Sequence, residues 1–469
     1  MKVITEDRLR ANRIYCIVVL ALFLFVFLGM EYLFDNCMAM VTDASGVVVA
    51  QSYILAASVI GFVLFPLLYR RCNTYVARIL IAVAGLEGVL CCYIICQHSS
   101  YRAILLAGLL LYVNLGVLGS AIHYGVIRIL GYDSHLAAIV GVSYATGIIL
   151  QFIHNSLHTN VVPETIWLSV CGILLVGIVI VLFRQPEAGI KDHNLSDHPN
   201  VLYAGIALIV CVLLMTVIFA TLDNVVTLYH ADGDMDIGRW PRLLLALSGL
   251  VAGFLYDIQK RRYMNMIMYC VTLLSVICIL LIVSGNLYVM GLYVFYLSAG
   301  FFAVYFTTSF MEYALHTGHP VFWAGFGRAV NNIGAGLIGS TSIAVFAKKD
   351  AVLISIIAVV LFVCIHIALT LYSGWMHKIV DNTAFAPEEK EEQRFTHFAE
   401  QYHLTEREQE VLQVLLESDD SVQNIAEQLY ISRAALYRHI TSLNEKTHTH
   451  SRVGLIQFYY GKENEGGQK

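Results

Sequence analysis

Charged side chains are scarce in this 469-residue chain, at 13%, well under the roughly 25% that covers an ordinary soluble domain. With 58% of residues hydrophobic and a mean hydropathy of +0.69, the composition excludes a water-soluble globule. Paired-cysteine spacing is missing as well. The eleven cysteines contain no CxxC, and most stand singly in apolar runs (Cys16, Cys171, Cys211, Cys270, Cys278, Cys364), so they read as buried bystander thiols. No HExxH, GxSxG or Walker loop occurs, so nothing argues for an enzyme, a cofactor or a bound metal. The stretch GAGLIG (334–339) fits a dinucleotide fingerprint by letters alone, but it lies inside an apolar run with no preceding strand. Gly334 and Gly336 are expected instead to let that helix approach its neighbour closely. The basic N-terminus leads into an apolar run with no small-residue cleavage site behind it, which reads as a retained anchor.

What is abundant is apolar sequence in runs near the ~20 residues needed to cross a bilayer. They fall at 14–33, 47–68, 77–96, 103–126, 136–157, 165–183, 201–222, 240–256, 264–285, 288–311, 321–346 and 351–372. In lipid the backbone must pair within its own segment, so the runs are helices, and the expected fold class is all-α: a polytopic membrane bundle of 12 transmembrane helices. Lys and Arg in the connections set its orientation. With the N-terminus inside, the inner side holds twelve (Lys2, Arg8, Arg10, Arg13, Arg70, Arg71, Arg128, Arg184, Lys191, Lys260, Arg261, Arg262) and the outer side five (Arg102, Arg239, Arg242, Lys348, Lys349). Both termini are therefore expected in the cytoplasm, with the chain in a bacterial inner membrane.

The bundle reads as duplicated. LFDNCMAM (33–40) and TLDNVVTL (221–228) each place an Asp-Asn pair near the end of a span, and LLYRRCN after the second run parallels LYDIQKRRYMN after the eighth. The charged stretch 184–200 separates two pseudo-repeated six-helix halves, about 1–183 and 201–375. GFLYDIQKRR (253–262) resembles the signature that the major facilitator superfamily of transporters carries after helix 2 and often helix 8. Gly253, Leu255, Asp257, Arg261 and Arg262 match it, while Ile258 and Lys260 depart; the first-half copy has no carboxylate at the family's aspartate position. The resemblance implies a cytoplasmic gate motif at Gly253, Asp257, Arg261 and Arg262 and a central cavity lined by helices 1, 7 and their neighbours.

Ionisable and polar groups at membrane depth are expensive and point to cavities or partners. The candidates for a small-molecule site are Asp35 and Asn36, Asp223 and Asn224, Glu87 near the middle of helix 3, Asn114 and His123 on helix 4, Tyr293 and Tyr296 on helix 10, and Arg328 and Asn331 on helix 11, where Asn332 shares their face. Arg242 is placed to reach Asp223 across the hairpin. The plain alternative for each is a helix-to-helix hydrogen bond or an interfacial aromatic.

Composition breaks after Tyr372, and the charged stretch over 376–399 reads as a solvated linker. Beyond it, 400–469 is amphipathic. Thr405 and Glu408 stand in capping-box spacing, Leu404, Val411, Leu412 and Leu415 line one side of the helix that follows, and Ser421 and Ser432 each precede another helix, with a fourth over 451–460. The tail resembles the LuxR-type helix-turn-helix domain. Leu404, Thr405, Arg407, Glu408, Glu410, Val411 and Leu412 match its first block, Ile425, Ala426, Leu429, Ile431, Ser432 and His439 its second, and Lys446 and Arg452 its third. Ala435, Leu436 and Tyr437 depart from the family's threonine, valine and lysine. The resemblance implies DNA contacts from Arg433, Tyr437, Arg438, His439, Thr441 and Lys446. An acidic-faced protein-interaction bundle, or a domain that has lost DNA binding, stays open.

The expected partners are DNA, membrane lipid, an unknown small-molecule ligand and a second copy of the chain on DNA. The expected function is a membrane-bound one-component transcription regulator; the alternative is a transporter whose tail regulates its own expression.

Overall fold

A computed structural model describes residues 6–71, 74–157, 160–183, 199–231, 240–283, 288–347, 351–417 and 421–461. Every regular element among them is helical: α1 (Glu6–Ala39), α2 (Ala44–Arg71), α3 (Thr74–Cys96), α4 (Tyr101–Leu130), α5 (Leu136–Leu157), α6 (Val161–Leu182), α7 (Pro199–Ala231), α8 (Pro241–Tyr256), α9 (Met264–Val283), α10 (Tyr288–Ala314), α11 (Pro320–Ala347), α12 (Ala351–Gln401), α13 (Glu406–Glu417), α14 (Val422–Gln428), α15 (Arg433–Thr447) and α16 (Arg452–Gly461). The twelve apolar runs fall on α1 to α12. Eight of these, α1, α2, α4, α5, α6, α7, α10 and α12, are long and apolar enough over their described residues to cross a membrane, and α3, α8 and α9 are shorter apolar helices. The Asp-Asn and basic-cluster repeats have a counterpart in packing. The pairs α1 with α5, α2 with α4, and α3 with α4 recur six helices on as α7 with α11, α8 with α10, and α9 with α10. The two halves meet along α5 with α8 and α2 with α11, which are the same pair under that offset.

The chain separates into two compact units, Met1–His377 and Lys378–Lys469. Across the stretch read as a linker, 376–399, α12 continues to Gln401. The reason is local: Glu, Lys, Gln and Arg dominate 388–394, and all of them are strong helix formers. Most of the charged stretch at 184–200 lies outside the described residues.

Close packing in the first unit relies on small residues, since lipid offers no hydrophobic drive for helices to associate. A Cβ on Gly253 of α8 would sit 2.7 Å from the Ala137 carbonyl oxygen and 2.9 Å from the Gly141 Cα of α5, so only glycine allows this approach. In GAGLIG, a Cβ on Gly334 would meet Thr216 of α7 at 2.9 Å and one on Gly336 would meet Ala56 of α2 at 2.7 Å. Those glycines serve helix packing, as expected.

The second unit has its own core. Leu404, Val411, Leu412 and Leu415 pack against Ile425 and Ala426, against Leu436, Ile440 and Leu443 of α15, and against Phe398, Leu455 and Tyr459. The Ser421 hydroxyl accepts from Asn424 N at 3.4 Å and that of Ser432 from Ala435 N at 3.2 Å, capping α14 and α15 where the sequence places their starts.

Candidate functional site

The first unit has two candidate functional regions at opposite ends of its helices. At one end the start of α1, the α4–α5 and α8–α9 turns and the α10–α11 turn come together. Arg13 grips Asp133 with two bonds of 2.7 and 2.8 Å. Burial pushes the Asp133 carboxyl up, but the Arg13 guanidinium and the His135 backbone N–H outweigh it and hold it below the usual range. Asp257 accepts from the backbone of Ala137 (3.1 Å) and Ala138 (2.7 Å) in the first turn of α5. That is where a helix presents unpaired N–H groups and favours negative charge. Arg261 donates to Glu312 at 2.9 Å, to Asp257 at 3.3 Å and to the Asp133 and Ser134 carbonyls at 3.3 Å. The Tyr132 hydroxyl reaches the Leu315 carbonyl at 2.7 Å, and Arg70 meets His319 at 2.7 Å. Except for the Arg13, Glu312 and Arg261-to-Asp257 bonds, these contacts cross between the two six-helix halves, so this rim is clasped shut. Of the four predicted gate residues, Gly253, Asp257 and Arg261 meet here, and Arg262 is exposed. Gln259, Lys260 and Arg261 all have positive φ, from 48° to 69°, a conformation that costs a non-glycine residue about 1 kcal/mol or more, so the clasp is built on a strained turn.

Toward the other end lies a cavity of about 180 Å³. Five of the eleven predicted ligand residues line it: Asp35, Asp223, Tyr296, Arg328 and Asn331. Asn36, Glu87, Asn114, His123, Asn224 and Tyr293 do not. Asn114 donates to the Ala84 carbonyl of α3 at 3.5 Å, and His123 bonds the Gly119 carbonyl of its own helix at 2.6 Å, edge-on to Phe23. These are the helix-to-helix and local bonds that the plain alternative describes. Glu87 is half-buried on α3, and Tyr293 is exposed against Trp240. The sequence missed Glu31, Gln51 and Tyr144, which also line the cavity. Gln51 donates to Glu31 at 2.8 Å. The signal for Glu31 was present: it precedes Asp35 by four residues, one helical turn, and therefore shares its face.

The cavity therefore holds three carboxylates, Glu31, Asp35 and Asp223, and two guanidinium groups, Arg242 and Arg328. Arg242 and Asp223 both line it. Arg328 is 8% exposed, with its guanidinium carbon 5.5 Å from the Phe27 ring centre and 5.2 Å from that of Phe306. Asn331 joins Thr216 of α7 (3.3 Å) to Asn332 (3.2 Å), and Asn332 donates to Ser58 of α2 at 2.8 Å. This polar chain ties α11 to one helix of each half.

In the second unit, α15 buries Leu436, Ile440, Leu443 and Thr447 and turns Arg433, Tyr437, Arg438 and Thr441 outward. Leu436, one of the departures from the LuxR pattern, is core. His439 is half-buried. The Lys446 ammonium, a candidate for DNA contact, donates to Glu408 Oε2 at 2.6 Å and to the His403 carbonyl at 2.9 Å. Glu408 also accepts from Ser442 at 2.6 Å and from the Thr405 backbone and hydroxyl at 2.8 and 2.9 Å. Burial pushes the Glu408 carboxyl up, yet these bonds outweigh it and bring it down to about 2. The α14–α15 turn presents Tyr430, 96% exposed with φ 54°, which sequence reasoning passed over.

Residues 402–459 match the family model of bacterial regulatory proteins, luxR family. In structure the chain is similar to the human organic anion transporter MFSD10 (TETRAN), at 14% identity and a TM-score of 0.53. It is also similar to the Escherichia coli fucose:proton symporter FucP, at 13% and 0.51, and to the nucleoside transporter NupG, at 13% and 0.50. Each similarity covers 78% of this chain and 99% of the other. At these identities the likeness is one of fold. A comparison with curated proteins finds no match. The chain thus joins a segment matched by the luxR-family model to a helical bundle that shares the fold of these transporters.

Proposed function

We propose that this chain is a membrane-bound one-component transcription regulator, in which a small molecule entering the bundle cavity alters DNA binding by the LuxR-type domain. The observation that carries the reading is the buried, charged cavity on the same polypeptide as a DNA-binding domain. A purely structural bundle has no reason to hold Asp35 and Arg328 in its interior, because buried charge without full pairing is costly. A ligand acts by binding two arrangements unequally, and the clasped rim is one of the two. The missing carboxylate in the first-half signature favours sensing over full transport. Uptake of a labelled ligand into proteoliposomes containing the purified chain tests this: ligand-dependent operator binding without accumulation is expected, whereas accumulation favours a transporter.

Two copies are expected to bind a near-palindromic site with half-sites about one helical turn apart, since one module makes few base contacts. The exposed apolar residues Val453 and Tyr460, seven apart on α16, support that helix as the dimer surface. Arg438→Ala should weaken operator binding by about 1–3 kcal/mol if the guanidinium reads a base, measured by gel shift; wild-type affinity would sink the DNA-face assignment. The chain is expected in the bacterial inner membrane with both termini in the cytoplasm. A reporter active only outside the cytoplasm, fused after Lys469, should therefore be silent. Activity there would overturn the orientation and the DNA reading together.

A further inference from the structure

We infer that the cavity ligand is a small zwitterion, with its ammonium group seated at Asp35 and its carboxylate at Arg328; the inference rests on the ligand-sensing reading above and names the chemistry of that site. Asp35 is 4% exposed, and its Oδ1 has no hydrogen-bond partner. A carboxylate oxygen buried in this way requires a donor, and an ammonium supplies charge and donors together. Arg328 is 8% exposed, and its Nε also lacks a partner. The rings of Phe27 and Phe306 attract its charge but accept no conventional hydrogen bond. A planar anion is the acceptor that fits a guanidinium edge.

Three of the neutral polar groups nearby are already engaged. Gln51 is bonded to Glu31, and Asn331 and Asn332 are bonded to each other, to Thr216 and to Ser58. Among the described residues that line the cavity, the buried side-chain atoms left without a hydrogen-bond partner are thus Asp35 Oδ1 and Arg328 Nε, on separate helices, α1 and α11. An amine alone leaves Arg328 Nε unmet, and a carboxylic acid alone leaves Asp35 Oδ1 unmet. Size sets a second limit, because about 180 Å³ is below the ~300–1,000 Å³ of pockets for drug-sized ligands. An aromatic wall, with the Phe219 and Phe302 rings stacked at 4.5 Å, leaves room for a compact apolar side group.

Binding to the full-length chain in nanodiscs would be measured by calorimetry with matched triads: L-leucine, isoamylamine and 4-methylpentanoate, and L-phenylalanine, phenethylamine and 3-phenylpropionate. At least one amino acid should bind, with its amine and its acid each weaker by about tenfold or more, the loss expected when one charged hydrogen bond goes unmade. In Arg328→Gln the amino acid should lose its advantage over the amine, and in Asp35→Asn its advantage over the acid. No binding by either amino acid, or an amine or acid binding as tightly as its parent, overturns the zwitterion; this arm uses the unaltered chain and does not depend on the variants folding. A reporter run with the same compounds separates the two readings. Amino-acid binding that leaves transcription unchanged sustains the ligand class and overturns the sensing reading.

Discussion

Asp257→Asn should loosen the clasped rim, change basal reporter output several-fold and leave ligand affinity within a few-fold. The carboxylate bridges two elements that belong to different halves: it accepts the Ala137 and Ala138 N–H groups of α5 and pairs with Arg261 beyond α8. Asparagine keeps one acceptor oxygen but loses the charge, so about 1–3 kcal/mol of stabilisation should be lost, in the clasped arrangement only. A bias of that size shifts a two-state equilibrium by roughly 5–150-fold, ample to alter output if the rim is the switch. The cavity lies toward the other end of the helices and the bonding partners of Asp257, namely Ala137, Ala138 and Arg261, are not among its lining residues, which is why affinity should change little. Asp35→Ala or Asp223→Ala should do the reverse and reduce ligand binding directly. Hydrogen-exchange labelling of the Ala137 and Ala138 amides, which donate to Asp257, should speed up in Asp257→Asn. Unchanged labelling and unchanged output at normal protein levels would make the rim scaffolding, and the coupling would have to run elsewhere.

Glu408→Gln should destabilise the LuxR-type domain by about 1–3 kcal/mol, the usual worth of hydrogen bonds to a charged group. Glu408 closes the capping box with Thr405 and reaches across to Ser442 and Lys446 of α15, so one side chain fixes the first helix of the domain against its recognition helix. The pH dependence follows from the carboxyl lying at about 2 against an ordinary 4.5. A depressed carboxyl contributes stability that is fully present above its unfolded pKa and is lost as pH falls through the folded value. The wild-type domain should therefore lose stability between about pH 4.5 and 2, and Glu408→Gln should flatten that interval. Hydrogen-exchange protection of the α13 and α15 amides in the intact chain, corrected for intrinsic exchange, reads both effects. An equally steep acid loss in the variant would place the sensitivity in another group.

Much of the second unit was legible from its residues. Thr405 with Glu408, Ser421 and Ser432 mark helix starts by local hydrogen bonding, and the stripe from Leu404 to Leu415 marks a core face by periodicity. Water on one side and a core on the other make such a stripe visible. The partners of Lys446, Glu408 and His403, lie 38 and 43 residues away, so its place in that network is a tertiary fact.

In the bundle the sequence alone determined the twelve apolar runs, the internal repeat and the Asp35 and Asp223 pair. Run length answers to bilayer thickness, and charged residues inside a span are too costly to be accidental. It did not determine which polar residues meet. A helix in lipid is apolar on its outer face and its inner face alike, so the periodicity that orients a soluble helix is missing, and rotation about the axis is set by small-residue contacts such as Gly253 against Gly141. That rotation turned Glu31 and Gln51 toward the cavity and left Glu87, Asn114 and His123 outside it. It also brought Asp257 to the first turn of α5, making a clasp from a motif whose first-half counterpart lacks its carboxylate. The sequence could name these charges, but only the packing of α1, α7, α8 and α11 decided that Asp35, Asp223, Arg242 and Arg328 line one cavity, because that depends on distances between segments up to about three hundred residues apart along the chain.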